Sequence, residues 1–401
     1  MLTHTIITEK MTFGGDCIAK IDKKTVFIPY AIPGEKLKIQ ITEEKRDYCR
    51  AKIVEILEKS PHRVEPVCPL YEKCGGCNLM HIDYEEQKNL KKQILKDLFL
   101  YNKITPPEIE VISGEPFGYR NRFQLTNGSL SEKKSNNLIS VENCPIAVKE
   151  INDYLKETPV NNRPKNRCHI FAGKELIENP LTNKKIYIAE QEEIKNQSVK
   201  IKNKNIKQIK KRYSGTMISN ENTATVNILG KNISFDVRGF FQSNLGVLEK
   251  TINEVTKFLS GENVLDMYSG CGTFSVFLKD KFEKVTLVEH NRDALVLAEK
   301  NLAGCKHESF GLSGEKWAAM QTKNDFNAVV IDPPRSGIEK SVLNYLCRSE
   351  IPVIRSVSCD PATHARDAKA LINAGYELEK LYLLDFYPQS SHIESLAWFL
   401  K

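Results

Sequence analysis

Apolar and polar residues alternate with two different periods along this chain, and the change of period divides it. Over residues 1–59 the period is two. Thr5-Ile6-Ile7, Cys17-Ile18-Ala19, Thr25-Val26-Phe27-Ile28-Pro29, Lys36-Leu37-Lys38-Ile39-Gln40-Ile41 and Ala51-Lys52-Ile53-Val54-Glu55-Ile56-Leu57 read as short strands. Gly14-Gly15 and Pro33-Gly34 supply the turns between them. Five short strands in so few residues predict an OB-like barrel, a scaffold that commonly binds oligonucleotides. A small β-module of another purpose would show the same pattern.

From Tyr84 the period becomes helical, with Leu90, Ile94, Leu95 and Leu98 on one face and lysines on the other. Phe117-Gly118-Tyr119-Arg120-Asn121-Arg122-Phe123-Gln124-Leu125 interleaves arginines with aromatics in a strand-like run, a composition suited to phosphates and stacked bases. An ordinary strand with exposed arginines reads the same way. Residues 126–140 and 158–168, rich in Asn, Ser, Lys and Pro, read as loops.

Beyond about residue 225 the pattern is that of an α/β sheet. Asn244 caps a predicted helix carrying Leu248, Ile252, Val255 and Leu259. Three apolar runs then end on chemically capable residues. Asn263-Val264-Leu265-Asp266-Met267-Tyr268 enters the glycine-rich turn Ser269-Gly270-Cys271-Gly272. Val285-Thr286-Leu287-Val288 ends on Glu289, 23 residues after Asp266 and placed to accept hydrogen bonds from a ribose diol. Ala328-Val329-Val330-Ile331 ends on Asp332-Pro333-Pro334-Arg335, whose prolines hold the carboxylate at the sheet's carboxyl edge. No lysine or arginine stands ready for a pyrophosphate, so a nucleoside without phosphates fits better, S-adenosylmethionine being the common one.

A fourth run, Ile351-Pro352-Val353-Ile354-Arg355-Ser356-Val357, delivers Ser358-Cys359-Asp360-Pro361 to the same edge, where ligands of open α/β sheets bind. A helix starting just after Cys359 would favour its thiolate. Near the C-terminus a polar turn brings His392 and Glu394 into the last apolar strand, where a carboxylate is costly unless paired or functional.

Charge and cysteine content refine this picture. The net charge of +7 permits an acidic polymer partner without requiring one. From Lys195 to Arg212 eight basic residues stand with no acidic one, either a solvated connector or an arm that tracks phosphates. No apolar run approaches the roughly 18 residues of a membrane span, and no export signal opens the chain, so the cytosol is the expected compartment. There, disulfides are disfavoured, and the eleven cysteines point to metal or catalysis. Cys68, Cys74 and Cys77, in Cys-x5-Cys-x2-Cys spacing around Gly75-Gly76, make a candidate metal site. Cys144 is the favoured fourth ligand, with Cys168 and His81 as the others. Spacing alone does not separate zinc from an iron–sulfur cluster.

Taken together the chain resembles the RNA 5-methyluridine methyltransferases. The resemblance rests on the small N-terminal barrel, like a TRAM domain, and on Cys68/Cys74/Cys77 with Cys144. It continues through Phe241-Gln242-Ser243-Asn244, Asp266 to Gly272, Asp332-Pro333-Pro334-Arg335, Ser358 to Thr363 with Ala365-Arg366-Asp367, and His392-Ile393-Glu394, in family order. Asp360 departs from the Asn often found in relatives.

The resemblance implies a Rossmann-like class I methyltransferase domain (226–401), a TRAM barrel (1–59) and a central Fe–S-bearing α+β domain (60–225). It implies a [4Fe-4S] cluster on Cys68, Cys74, Cys77 and Cys144, and S-adenosylmethionine held by Gln242, Tyr268, Glu289 and Asp332. It implies Cys359 as nucleophile and Glu394 as general base, acting on C5 of a uridine. The expected substrate is RNA, with 23S rRNA first and the T-loop uridine of tRNA second, for a monomer not bound to membranes. Two rivals differ in kind: RNA 5-methylcytidine transfer, and a non-catalytic Fe–S protein that binds RNA.

Overall fold

A computed structural model describes residues 3–177, 185–193, 213–214, 222–322 and 324–401. The basic run from Lys195 to Arg212 lies outside the described residues.

The period-two segment forms a six-stranded sheet. Thr3–Ile7, Lys36–Glu44, Tyr48–Glu58, Lys24–Ile28, Cys17–Ile21 and Lys10–Met11 lie side by side in that order. Alternation decides its inside. Val26 and Ile28, and Leu37 and Ile39, are fully buried, while Lys36, Lys38 and Gln40 are not. At its exit Glu35, fully buried, takes a two-pronged ion pair from Arg63 at 2.6 and 2.7 Å and accepts the Ile32 and Ser60 N–H groups. Every oxygen of that carboxylate is thereby satisfied, which is what makes its burial tolerable.

The second half builds an eight-stranded sheet. Its order is His307–Phe310, Phe282–Val288, Gly261–Met267, Ala328–Ile331, Val353–Ser358, Glu394–Leu400, Glu377–Leu384 and Ile109–Ile112. The first five strands pair in parallel, and Glu394–Leu400 runs antiparallel between Val353–Ser358 and Glu377–Leu384. Fully buried runs such as Ala328–Ile331 carry helices over both faces, hence the unbroken apolar sequence.

One strand comes from outside this stretch. Ile109–Ile112, within the segment assigned to the central domain, joins the sheet edge parallel to Leu381–Leu384. The helix Tyr84–Tyr101 before it packs on the helix Pro361–Asn373. Between them they carry the chain back onto the eight-stranded sheet before the central region is built.

The central region holds a three-stranded antiparallel sheet of Ile186–Glu190, Cys168–Ala172 and Arg122–Leu125. The helix Lys149–Glu157 covers it through Ile151 and Leu155. Residues 126–140 are more than loop: Leu130–Ser131 pairs with Leu138–Ile139. Asn-rich and Lys-rich composition concealed a hairpin too short to show a period.

Candidate active site

Every parallel strand that ends on a reactive residue ends at the same edge of the sheet. A cavity of about 850 Å³ opens there, and Gln242, Tyr268, Glu289, Asp332, Cys359 and Glu394 all line it. Cys359 follows the last residue of the Val353–Ser358 strand. Ser358 pairs with Ser395 across the antiparallel ladder, so Cys359 and Glu394 stand one step beyond that pair, at the mouth of the sheet.

Electrostatics at this edge are governed by crowded carboxyls. Burial, then the charge of Asp332, pushes Glu394 up to about 8, against the pull of Arg335. Burial pushes Asp332 up to about 7. Cys359 is raised to about 11 by burial and by the charges of Glu394 and Asp332. The expectation that the following helix would lower the Cys359 pKa is therefore overturned. Burial and the two carboxyls outweigh the helix, while Asp360, its N-cap, accepts the Ala362 and Thr363 N–H groups at 3.1 and 2.9 Å.

The glycine-rich turn is held by the acid after the next strand. Glu289 accepts the Gly270 N–H at 3.0 Å through one oxygen and the Asn291 N–H at 2.7 Å through the other. Gly272 has φ +78°, and a Cβ there would come within 3.2 Å of Ala298, so the turn demands glycine. Tyr268 also has positive φ, 64°, and its hydroxyl meets Glu339 Oε2 at 3.3 Å. The Gln242 side-chain oxygen is buried without a hydrogen-bond partner. A buried acceptor left open in a cavity wall is a place for a ligand's donor.

Two features carried no role in the sequence, and a third was read only in part. Arg335 lines the cavity and is the cation that opposes the raised pKa of both Cys359 and Glu394. Arg366 donates to the Ser336 carbonyl, and Asp367 accepts the Ile338 N–H at 2.8 Å, so the helix after Cys359 clamps the loop after Asp332. The aromatic-arginine run divides: Arg120 lines the cavity, whereas Arg122 is spent on the Gly239 carbonyl at 2.7 Å.

Cys68, Cys74, Cys77 and Cys144 are free, half-buried thiols. Burial raises Cys77 to about 12, and the charges of Cys144, Cys74 and Cys68 add to it while Arg120 opposes. Backbone N–H groups of Ile146 and Ala147 turn toward the Cys144 sulfur. Cys168 instead lies fully buried in a strand, and His81 is engaged by the Tyr71 hydroxyl at 2.6 Å. Among the described residues no group of three or more His, Cys, Asp or Glu side chains forms a site for a metal ion.

Comparison with known proteins gives this edge its context. The family described as "tRNA (Uracil-5-)-methyltransferase" matches residues 83–401, and the TRAM domain matches residues 3–54. The chain belongs to the RNA (uracil-5-)-methyltransferase family. Relatives extend over its whole length. An "Uncharacterized RNA methyltransferase" of Treponema denticola is 38% identical, covering 100% of both chains. The 23S rRNA (uracil(1939)-C(5))-methyltransferase RlmD of Vibrio parahaemolyticus is 30% identical over 99% of this chain and 96% of its own. Among solved structures, a Pyrococcus abyssi tRNA (uracil-54, C5)-methyltransferase in complex with S-adenosyl-L-homocysteine superposes with a TM-score of 0.71. It is 22% identical and covers 99% of this chain and 100% of that one, so the likeness establishes a shared class I methyltransferase fold. As a member of the RNA (uracil-5-)-methyltransferase family the chain is an enzyme. No helix among its described residues is long and apolar enough to cross a membrane.

Proposed function

We propose that this enzyme methylates C5 of a uridine in 23S rRNA, using S-adenosylmethionine, through a covalent bond between Cys359 and C6 of the base. The observation that carries the reading is the meeting of Cys359, Glu394 and Asp332 at one cavity edge. The choice of rRNA rests on the full-length relative named for 23S rRNA. Uridine in tRNA is the second reading, favoured by the description of the matching family. Mapping 5-methyluridine in rRNA and tRNA from a deletion strain separates them: loss from 23S rRNA alone supports the first.

The open Gln242 oxygen, the Glu289 carboxylate and Asp332 fit a methyl donor that carries an amino group, a ribose diol and a positive charge. When bound, S-adenosylmethionine supplies an electrophilic methyl on a sulfonium. Uracil C5 is too poor a nucleophile to take it unaided. Addition of the Cys359 thiolate to C6 places electron density at C5, which then takes the methyl group as the S–CH3 bond breaks and its electron pair stays on sulfur, leaving S-adenosylhomocysteine. Glu394 removes the C5 proton, and the electron pair left behind expels the Cys359 thiolate. Arg335 favours the ionised forms of both residues. The target base must leave its stack to reach this edge, as in other enzymes that act on bases.

Cys68, Cys74, Cys77 and Cys144 are the proposed ligands of a [4Fe-4S] cluster. Their chemistry fits: four free thiols in one neighbourhood, backbone N–H groups toward the Cys144 sulfur and the Arg120 cation nearby. Bound there, a cluster would be held by these four thiolates and would tie the loop of Cys68, Cys74 and Cys77 to Cys144.

A further inference from the structure

The segment from Asp385 to His392 leads directly into Glu394, and it is held by distant parts of the chain. Lys91, fully buried, donates to Asp385 at 2.7 Å and to the Tyr387 carbonyl at 3.0 Å. Gln87 and Gln389 exchange hydrogen bonds of 2.9 and 3.0 Å. The Tyr119 hydroxyl donates to the Pro388 carbonyl at 2.8 Å. These contacts fix the first part of the segment.

Its last part is held by one side chain. Asn78 Oδ1 accepts the Ser391 N–H at 2.8 Å, and Asn78 Nδ2 donates to the Ser391 hydroxyl at 2.9 Å and to the Gly14 carbonyl at 3.1 Å. The N–H groups of Asn78 and Leu79 both donate to the Gln389 carbonyl, at 3.1 and 3.0 Å. The barrel turn closes over this junction so tightly that a Cβ on Gly15, where φ is +89°, would fall within 2.8 Å of Asn78 Nδ2 and 2.9 Å of Ser391 Cβ. Beyond Ser391 only His392 and Ile393 precede Glu394. The ladder to Val353–Ser358 begins at Ser395, leaving Glu394 paired on one side alone, with Leu384.

We propose that Asn78 is a positioning residue for the general base: it ties the barrel turn and the cysteine-bearing loop to Ser391 and so sets where the Glu394 carboxylate meets the C5 proton. The proposal rests on the assignment of Glu394 as base. It gives the fold a reason to press a barrel turn and the residue after Cys77 against a loop so close to the chemistry. Order in the cysteine loop becomes a condition for completing the last step.

Two RNA probes read this role apart from a general loss of structure. On an unmodified 23S rRNA transcript, a displaced base slows release after methyl transfer. On the same transcript made with 5-fluorouridine, the steps up to methyl transfer suffice to trap the protein, since fluorine cannot leave as a cation. Asn78→Ala is expected to lower turnover about 10-fold or more, by analogy with small misplacements at other active sites. Its trapping rate on the fluorinated transcript should stay within about 2-fold of wild type, and a denaturation-resistant adduct should accumulate on the ordinary transcript. Should Asn78→Ala give no folded protein, Ser391→Ala, which deletes one hydroxyl, carries the same test. Equal losses of trapping and turnover, or no loss of turnover, overturn the proposal. Wild-type protein that traps no fluorinated RNA, rRNA or tRNA, overturns the functional reading itself and this proposal with it.

Discussion

Cys359 and Cys77 are both half-buried free thiols held well above the usual thiol range, at about 11 and about 12, yet they keep opposite company. Around Cys359 stand two carboxyls, Glu394 and Asp332, with Arg335 against them. Around Cys77 stand three more thiols, Cys144, Cys74 and Cys68, with Arg120 against them. A lone thiol facing carboxyls keeps its proton until a substrate or methyl donor changes the local charge, which suits a nucleophile made for one step. Thiols gathered beside one another suit the metal group proposed for them, which would stay bound for the life of the protein. On the proposed reading, identical side chains are given different work by their neighbours.

Removing the nucleophile is the strongest way to break the contrast. Cys359→Ala is predicted to abolish methylation and crosslinking together while S-adenosylmethionine binding, measured by calorimetry, persists. Glu394→Gln should slow turnover by about 10²–10⁴ and leave a protein–RNA adduct visible on a denaturing gel, since only the proton removal is lost. Disappearance of the adduct along with turnover would remove Glu394 from the base role.

The cysteine set is sharpened by metal analysis. Protein purified without oxygen should be brown and carry iron and sulfide near four each per chain, as a [4Fe-4S] cluster requires (about four of each). Cys77→Ser should lose both, and Cys168→Ser should lose neither. Colourless protein with one zinc would keep the ligands and reject the cluster.

How far the sequence carried this contrast depends on the range of the contacts. Strand ends were legible, because strands buried on both faces read as apolar runs and the reactive residue follows directly, as Asp332 follows Ala328–Ile331. The Asn244 cap was legible for the same local reason, its side chain accepting the Val247 N–H at 3.2 Å. The Ile109–Ile112 strand was not: its Ile-Glu-Val-Ile pattern of an edge strand is too short to separate from loop. The company of Cys359 was not legible either: Asp332 and Glu394, whose charges raise that thiol, reach it from two other strands. The Asn78–Ser391 junction spans 313 positions, and no local pattern encodes such a pair.

A smaller effect concerns pH. With Glu394 at about 8, the decay of the methylated adduct, followed in a single turnover, is predicted to quicken about 10-fold between pH 7 and 9 as the base ionises. Stability should run the other way. The unfolded carboxyl ionises near its model value of 4.5, and the folded one near 8, so folded protein retains the extra proton between them and loses stability as pH rises through that window. Glu394→Gln removes this cost. Its urea midpoint should match wild type near pH 4 and exceed it at pH 8, by an effect on the order of 1–4 kcal/mol.

The central claim, that Cys359 alone among these thiols bonds to the base, is tested most directly by locating the adduct. Wild-type protein trapped on a 5-fluorouridine transcript is digested with protease and nuclease, and the cross-linked peptide is sequenced by mass spectrometry. The account predicts a nucleotide carrying the transferred methyl group on Cys359, within the peptide that contains Ser358 and Asp360. A nucleotide on Cys271, or on any cysteine of the Cys68–Cys77 loop, would contradict it.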